Sequence, residues 1–589
     1  MGNKVLRFFK DKRAVLLILL IITAGVLKFQ SNNFHHWEDT ERLDRPIIRS
    51  DGSGYYAYLP QHFIYNDPHY FFIDSILPNY PNAKMGEFGN YGSPDSGRMN
   101  KFFPGVAICQ TPFFLAAHCF HDSKYKSDGY SYPYQRAAAM GAICFLLLGI
   151  FLCYLVMIRL KITPLAAALS LVGISLGTPL LFYTINEPLA SHVYSFAVVA
   201  LFIYLLLVWR DSRSSIWLPL IALVLGLIVL LRPVNGIVVL LFFALFPSLK
   251  EAWQFLRDHL LKSLPKVTLI LSSFVAVILI QYSNVYYQTG NFDFNLYSTE
   301  TFENWNSPPI LEVLFGFRKG LFIYAPLTLF TFLGVCLIFK NHRYRTVVVL
   351  FFFALFTYIT ASWWCWWYGG SIGMRPMVDI SILYALGLAL ILDKGEIWLK
   401  ILTLPIMLFS IFFQLTLSHQ FENGILHFSE MNKERYLEIF MKRDRRFEWM
   451  YYVEALPYFE KELKLDKEPF WKTKSFEIEH MRGSELIKIQ IDSTLLAKYR
   501  GFRLNGNIII RDKNNIPLLQ VQGEQNEESN ILQTDFIGMR LPSINKTESF
   551  TSDYIFPKQI SEYNNLTLYF INSHGKTNLE NLKLFFVEN

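Results

Sequence analysis

The segment Ser50-Asp51-Gly52-Ser53-Gly54-Tyr55-Tyr56-Ala57-Tyr58-Leu59-Pro60, preceded by Arg45 and Arg49, holds the first group of residues that could do chemistry. A carboxylate at position 51 stands beside glycines that let a bulky substrate approach the backbone. Arginines close by can bind a phosphate through two parallel hydrogen bonds. The same residues also read as a structural start: Ser50 or Asp51 can cap a short helix running toward His62, with Tyr55, Tyr58 and His62 on one face.

Five further polar clusters interrupt otherwise apolar sequence. They are Asn100-Lys101, Asn186-Glu187 through Ser191-His192, Leu231-Arg232-Pro233, Arg318-Lys319, and Trp366-Trp367-Tyr368 through Arg375-Pro376. Any one of them can be a snorkelling cation or an aromatic anchor at a helix end. A carboxylate, several cations, a histidine and a Gly-rich turn converging on one membrane face are instead the pattern of a site. No compact carboxylate or histidine cluster of the metal-binding kind is visible, so no metal is expected.

The elements that must position these residues are membrane helices. The 589-residue chain is 52% hydrophobic, 16% aromatic and only 17% charged, more apolar surface than one soluble core can hide. Stretches long enough to cross about 30 Å of hydrocarbon fall at 14–30, 137–158, 164–184, 190–209, 215–231, 234–248, 267–287, 321–339, 346–362, 376–392 and 397–417. The sequence therefore predicts a polytopic α-helical membrane protein of about eleven transmembrane helices. The run 103–120 is broken by Pro104 and Pro112 and reads as a re-entrant or interfacial helix. The first span follows Lys4, Arg7, Lys10, Lys12 and Arg13, in the manner of an uncleaved signal anchor.

The net charge of +7 is spread over short loops rather than gathered into a nucleic-acid patch, and no nucleic-acid partner is expected. Arg159 and Lys161, Arg210 and Arg213, Lys250 to Lys266, and Lys340 to Arg345 lie in alternate loops. That alternation predicts a cytoplasmic N-terminus, with 31–136 and everything after about 418 outside. Six cysteines are scattered before residue 366 and suggest no disulfide framework. Residues 1–417 thus read as the membrane domain, with the large outer loop 31–136, and 418–474 as a linker with helical segments. Residues 475–589 show alternating runs such as Leu486-Ile487-Lys488-Ile489-Gln490-Ile491, separated by turn residues, and read as a β-sandwich on the outer face.

The Asp51-Gly-x-Gly-Tyr-Tyr segment, the Asn100-Lys101 stretch, the Ser191-His-x-Tyr-Ser-Phe entry to a span and the Tyr368-Gly-Gly-Ser-x-Gly-x-Arg turn together resemble the glycosyltransferase C superfamily. The branch is that of protein O-mannosyltransferases and lipid A aminoarabinose transferase. The resemblance covers residues 1–417 and implies inverting transfer of a hexose or pentose from a polyprenyl-phosphate donor. The acceptor, a protein, lipid or glycan, would lie on the periplasmic face of a bacterial inner membrane. A hydroxyl acceptor needs a general base, for which Asp51 is the candidate once burial or a like charge raises its pKa. A departing phosphate needs fixed positive charge, from Lys101, Arg318, Lys319 and Arg375, with Arg45 and Arg49 guiding the headgroup. Glu187 and His192 would position a sugar hydroxyl, and Tyr55, Tyr58, Trp367 and Tyr368 would contact the sugar. Members often have Asp-Glu where this chain has Asp51-Gly52, which leaves the second acidic role to Asp67, Asp74 or Glu187. No cofactor is required. A transporter or flippase of lipid-linked sugars, or an envelope-assembly scaffold, are the other classes the sequence admits.

Overall fold

The computed structural model describes residues 12–35, 46–80, 99–120, 122–292, 300–339, 342–443, 464–478, 484–511, 517–525, 528–535, 545–556, 560–572 and 577–588. Arg45 lies outside them. The chain divides into two compact units, Met1–Ser418 and His419–Asn589.

Among the described residues, six helices are long and apolar enough to cross a membrane: Tyr132–Arg159, His192–Ser212, Leu264–Thr289, Arg343–Ser362, Arg375–Lys394 and Ile397–Glu422. A seventh crossing is reached if Pro233–Leu245 and Leu249–Leu261, bent by 106°, form one broken span. This is a multi-pass arrangement, but not eleven long helices. Several expected spans are interrupted for identifiable reasons. The stretch 164–184 becomes Pro164–Gly177 and Leu180–Ile185, because Pro179 cannot continue the backbone ladder of the first helix. The stretch 321–339 breaks at Ala325-Pro326 into Leu321–Tyr324 and Pro326–Phe339 in the same way. Pro233–Leu245 is wound as a 3₁₀ helix of 13 residues. At about 2.0 Å per residue it reaches roughly 26 Å, further than an α-helix of that length.

Side-chain bonds fix two ends of the bundle. At one end Arg159 pairs with Asp211 at 3.0 Å, Thr163 Oγ1 donates to Asp393 at 2.6 Å, and Arg210 and Arg345 donate to the carbonyls of Leu245 and Phe246. These join the C-terminal ends of the helices at 132–159, 192–212 and 381–394 to the start of those at 164–177 and 343–362. The opposite end gathers the starts of His192–Ser212 and Arg375–Lys394 and the Arg232-Pro233 junction, so the chain alternates between the two. Within the bundle, 89% of the His192–Ser212 window is buried but only 6% of the Leu264–Thr289 window, so the former is central and the latter turns its apolar surface outward. The Gly105–Phe120 helix, 16 residues long, packs its Gly105 against the backbone of Leu230.

Among its described residues, the second unit holds eight strands in two antiparallel four-stranded sheets. They are β1 (Trp471–Ile478), β2 (Ser484–Gln490), β3 (Tyr499–Ile510), β4 (Leu518–Gln525), β5 (Glu528–Asp535), β6 (Thr547–Ile555), β7 (Asn565–Ile571) and β8 (Thr577–Glu588). One sheet runs β1-β8-β3-β6 and the other β2-β7-β4-β5. Alternate residues of both, among them Phe502, Leu504, Leu584 and Phe586 from the first and Val521, Leu566, Leu568 and Phe570 from the second, form one core cluster. The period of two in the sequence is what turns one face of each sheet inward.

Candidate functional site

Asp51 opens the short helix Ser50–Tyr56, which begins with Ser50 at φ +46. Gly52 of that helix lies against Leu189: a Cβ there would come within 2.9 Å of the leucine Cβ. Position 52 is therefore a packing position, and the absence of an acid there follows from the close approach. Asn100 holds the helix from the other side, its Nδ2 donating to the Gly54 carbonyl at 2.7 Å and its Oδ1 accepting from Phe102 N. Tyr58 is buried and donates to the Phe102 carbonyl at 2.6 Å, so it braces the loop rather than facing a cleft.

The Asp51 carboxylate is 51% exposed and accepts from Arg375 Nη1 at 3.0 Å. The burial on which the sequence argument for a base depended is absent at this side chain, and its neighbour is a cation rather than a like charge. Arg375 begins the 3₁₀ turn Arg375–Ile380. Its Cζ lies 6.0 Å from the Tyr368 ring centroid, and the Cζ of Arg232 lies 5.5 Å from the same ring. Two guanidinium groups thus share one aromatic partner. Tyr55 completes the group: its phenol feels Arg232, Asp51 and Arg375 and bonds Ser191, and burial pushes it above the usual tyrosine range against the pull of Arg232. Burial likewise pushes Tyr368 up to about 12, opposed by Arg232 and Arg375. Both phenols remain protonated donors at neutral pH.

Behind this rim is a buried network. Asp379 is 0% exposed; its Oδ1 lies 2.7 Å from His192 Nδ1, while Oδ2 accepts from Asn235 Nδ2 at 2.8 Å and lies 3.4 Å from Arg232 Nε. A carboxylate withdrawn from water has to be matched by donors and opposite charge, and here two segments supply them, His192 from one helix and Arg232 with Asn235 from the junction that opens another. An ionised Asp379 selects the His192 tautomer with the proton on Nδ1. His192 is itself buried and stands edge-on to Tyr183 at 4.6 Å, so it contributes from within rather than at the rim.

The other expected residues are distributed around this centre. Arg49 pairs with Glu187 at 3.1 Å and also donates to the Asn186 carbonyl. Lys319 is buried, and its Nζ donates to the Ser371 carbonyl at 2.5 Å, tying down the turn that carries Tyr368 and Arg375. That turn depends on left-handed backbone at Tyr368, Gly369 and Gly373. Arg318 stacks on Trp367 with its Cζ 3.6 Å from the ring centroid. Lys101 pairs with Glu300 at 2.5 Å. Asp67 is spent on the backbone amides of His69 and Phe72, and Asp74 is exposed. No group of three or more His, Cys, Asp or Glu side chains suited to a metal converges among the described residues.

Asn235 and Asp379 were not assigned to the site by the sequence reading, and Arg232, in one of its polar clusters, was given no role there. The signal for two of them was present: an arginine before Pro233 and an aspartate inside the run 376–392 are both ionisable groups in apolar sequence. Their convergence is a matter of tertiary packing.

No protein-family model and no curated protein sequence matches the chain. Among solved structures, it is similar to the oligosaccharyltransferase of Archaeoglobus fulgidus in the apo form, with a TM-score of 0.39 and 15% identity over 72% of this chain and 57% of that one. It is similar to the archaeal oligosaccharyltransferase AglB of the same organism in complex with an inhibitory peptide and a dolichol-phosphate, with a TM-score of 0.40 and 15% identity over 73% and 58%. It is also similar to the arabinosyltransferase EmbB of Mycobacterium smegmatis, with a TM-score of 0.34 and 9% identity over 96% and 64%. The chain spans 57% to 64% of the length of these structures, and the superpositions are partial. The functional reading rests on the residues of the site.

Proposed function

We propose that the chain is a membrane glycosyltransferase that transfers a sugar from a polyprenyl-phosphate donor to an acceptor on the face of the membrane that bears Asp51. The observation that carries this reading is the pairing of a half-exposed carboxylate with a guanidinium, Asp51 with Arg375, beside a second guanidinium, that of Arg232, near the same Tyr368 ring. Such a group holds a base for a hydroxyl and cations for a phosphate within one small region at the end of apolar helices.

In this mechanism the lipid phosphate competes with Asp51 for Arg375. Once the guanidinium has turned to the phosphate, the carboxylate accepts the proton of the acceptor hydroxyl. The acceptor oxygen attacks the anomeric carbon, the bond from that carbon to the phosphate oxygen breaks, and the polyprenyl phosphate leaves with the electron pair. Attack opposite the leaving group inverts the anomeric centre. Positive charge aimed at the departing oxygen is worth most in a site that excludes water. Arg318 on Trp367, and the Arg49–Glu187 pair, are the residues we assign to the border of the sugar and headgroup.

The same reading keeps eleven crossings, with the interrupted helices counted as broken spans, and takes the two sheets of the second unit as a sandwich. The gathering of Arg159, Arg210 and Arg345 at the end opposite Asp51 supports a cytoplasmic position for that basic end, hence a periplasmic site in a bacterial inner membrane. A flippase of lipid-linked sugars is the second reading, favoured by one observation, the buried ionisable Asp379. Purified protein in liposomes, supplied with labelled polyprenyl-phosphate sugars and a panel of acceptors, separates the two. Label moved to acceptor supports transfer, and label moved only across the bilayer sinks it.

A further inference from the structure

Arg232 sits at the junction of two apolar helices, Trp217–Leu231 and Pro233–Leu245. An arginine there must satisfy its charge from neighbouring elements or from a ligand. The inner edge of its guanidinium is accounted for: Nε faces Asp379 Oδ2 at 3.4 Å, and that carboxylate is fully buried and locked in place by Asn235 and His192. The outer edge is not. Among the described residues no acceptor takes a hydrogen bond from either Nη atom, although the side chain is only 16% exposed. The plane leans on Tyr368, which also carries Arg375, and Arg375 keeps a buried Nε without a partner. Two arginines therefore lie near one ring, each with donors unspent, and the rim carboxylate Asp51 engages only one Nη of one of them.

From this geometry we infer that Arg232 and Arg375 form a two-pronged site for the phosphate of a polyprenyl phosphate, a diester in the sugar-bearing donor and a monoester once the sugar has left, and that Asp379 is a positioning residue which aims the Arg232 fork into it. This rests on the glycosyltransferase reading for the source of the phosphate, a lipid-linked one, but the anion chemistry stands on the two guanidiniums alone. A planar guanidinium offers parallel N–H donors that match two phosphate oxygens. A fork held at its Nε end by a buried carboxylate loses little freedom when it binds, which is where preorganisation adds affinity. His192 and Asn235 act one step further back, by fixing the carboxylate itself.

The full chain in lipid nanodiscs, titrated with undecaprenyl monophosphate and with undecaprenol as the phosphate-free control, tests this. Native mass spectrometry reads the occupancy. Arg232→Gln and Arg375→Gln are each expected to weaken monophosphate binding by about tenfold or more, the loss of a charge-assisted bond, and to leave undecaprenol binding unchanged. Asp379→Asn is expected to weaken monophosphate binding in the wild-type background and to add nothing in the Arg232→Gln background, because its effect passes through Arg232. Three results would overturn the proposal: no preference of wild type for monophosphate over undecaprenol, undiminished binding by Arg232→Gln, or a loss from Asp379→Asn that adds in full to Arg232→Gln. The last would make Asp379 a purely structural group. A thermal melt of each variant separates lost folding from lost binding. Failure of wild type to transfer sugar from any polyprenyl phosphate would sink the enzymatic reading while leaving the anion site to be judged by the titration.

Discussion

Arg375 donates to Asp51 at 3.0 Å across 324 positions of sequence, joining the start of a 3₁₀ turn to the first turn of a short helix in a distant loop. In the proposed reaction, a base held this way is occupied until something anionic takes the guanidinium from it. The ion pair is therefore both the resting state of the proposed site and its first obstacle to reaction.

Asp51→Asn separates those roles. Removing a general base lowers the rate of transfer by about 10² to 10⁴-fold, yet the neutral amide competes less for Arg375. Donor affinity is expected to hold or to tighten while the single-turnover rate falls. Wild-type transfer by the variant would remove Asp51 from the chemistry; a parallel loss of affinity and rate would make it a structural partner of Arg375.

The turn that delivers Arg375 is anchored from beneath by Lys319. With the lysine 1% exposed and donating to the Ser371 carbonyl, Lys319→Met keeps the volume and removes the bond. A charged hydrogen bond of this kind is worth about 1.5 to 3 kcal/mol. A lower melting temperature is expected, together with altered emission from Trp366 and Trp367 on the same turn and weaker donor binding. An unshifted melt and spectrum would show that the turn holds itself.

Much of this was legible in the sequence because the membrane imposes simple rules. Apolar length marks helices, and Arg and Lys mark one set of their ends. The paired carboxylate and guanidinium at 51 and 375 were each recognisable as chemistry-bearing, although their contact was not. Roles inverted by packing were not legible. Tyr58, Asn100 and Lys319 read as site residues in a linear string, yet each spends its polar atom on a backbone carbonyl. Conversely Asp379 lies inside the apolar run 376–392, and only the convergence of residues 192, 232 and 235 shows what it is buried against. Helix breaks at Pro179 and Pro326 were readable as prolines but were outweighed by the apolar runs around them.

Asn100 offers a test of how the Asp51 helix is held. Its side chain is buried, and Asn100→Ala leaves the Gly54 carbonyl without that donor, at a cost of about 1 to 3 kcal/mol. The expected outcome is a lower melting temperature and reduced transfer with donor affinity nearly intact, since Arg232 and Arg375 lie on other elements. Asn100→Asp should fail similarly, because a carboxylate cannot donate. Normal transfer by either variant would show that the packing of Gly52 on Leu189 suffices to hold the helix.

In the second unit, Arg503 of β3 makes two bonds, of 2.6 Å and 2.7 Å, to Asp553 of β6 across one register pair. Asp553 is fully buried and Arg503 largely so. Removing either partner alone strands a buried charge, and breaking such a pair costs about 3 to 5 kcal/mol. Asp553→Ala is therefore expected to open this sheet to limited proteolysis in the full-length protein and to lower the melting transition of the unit. The double change Arg503→Leu with Asp553→Leu removes both charges and should recover most of the loss. If the double variant is as labile as the single one, the pair contributes through its geometry in the sheet rather than through its charge. Sugar transfer by Asp553→Ala, measured in the same preparation, then reports whether the proposed chemistry of the first unit needs the second unit folded.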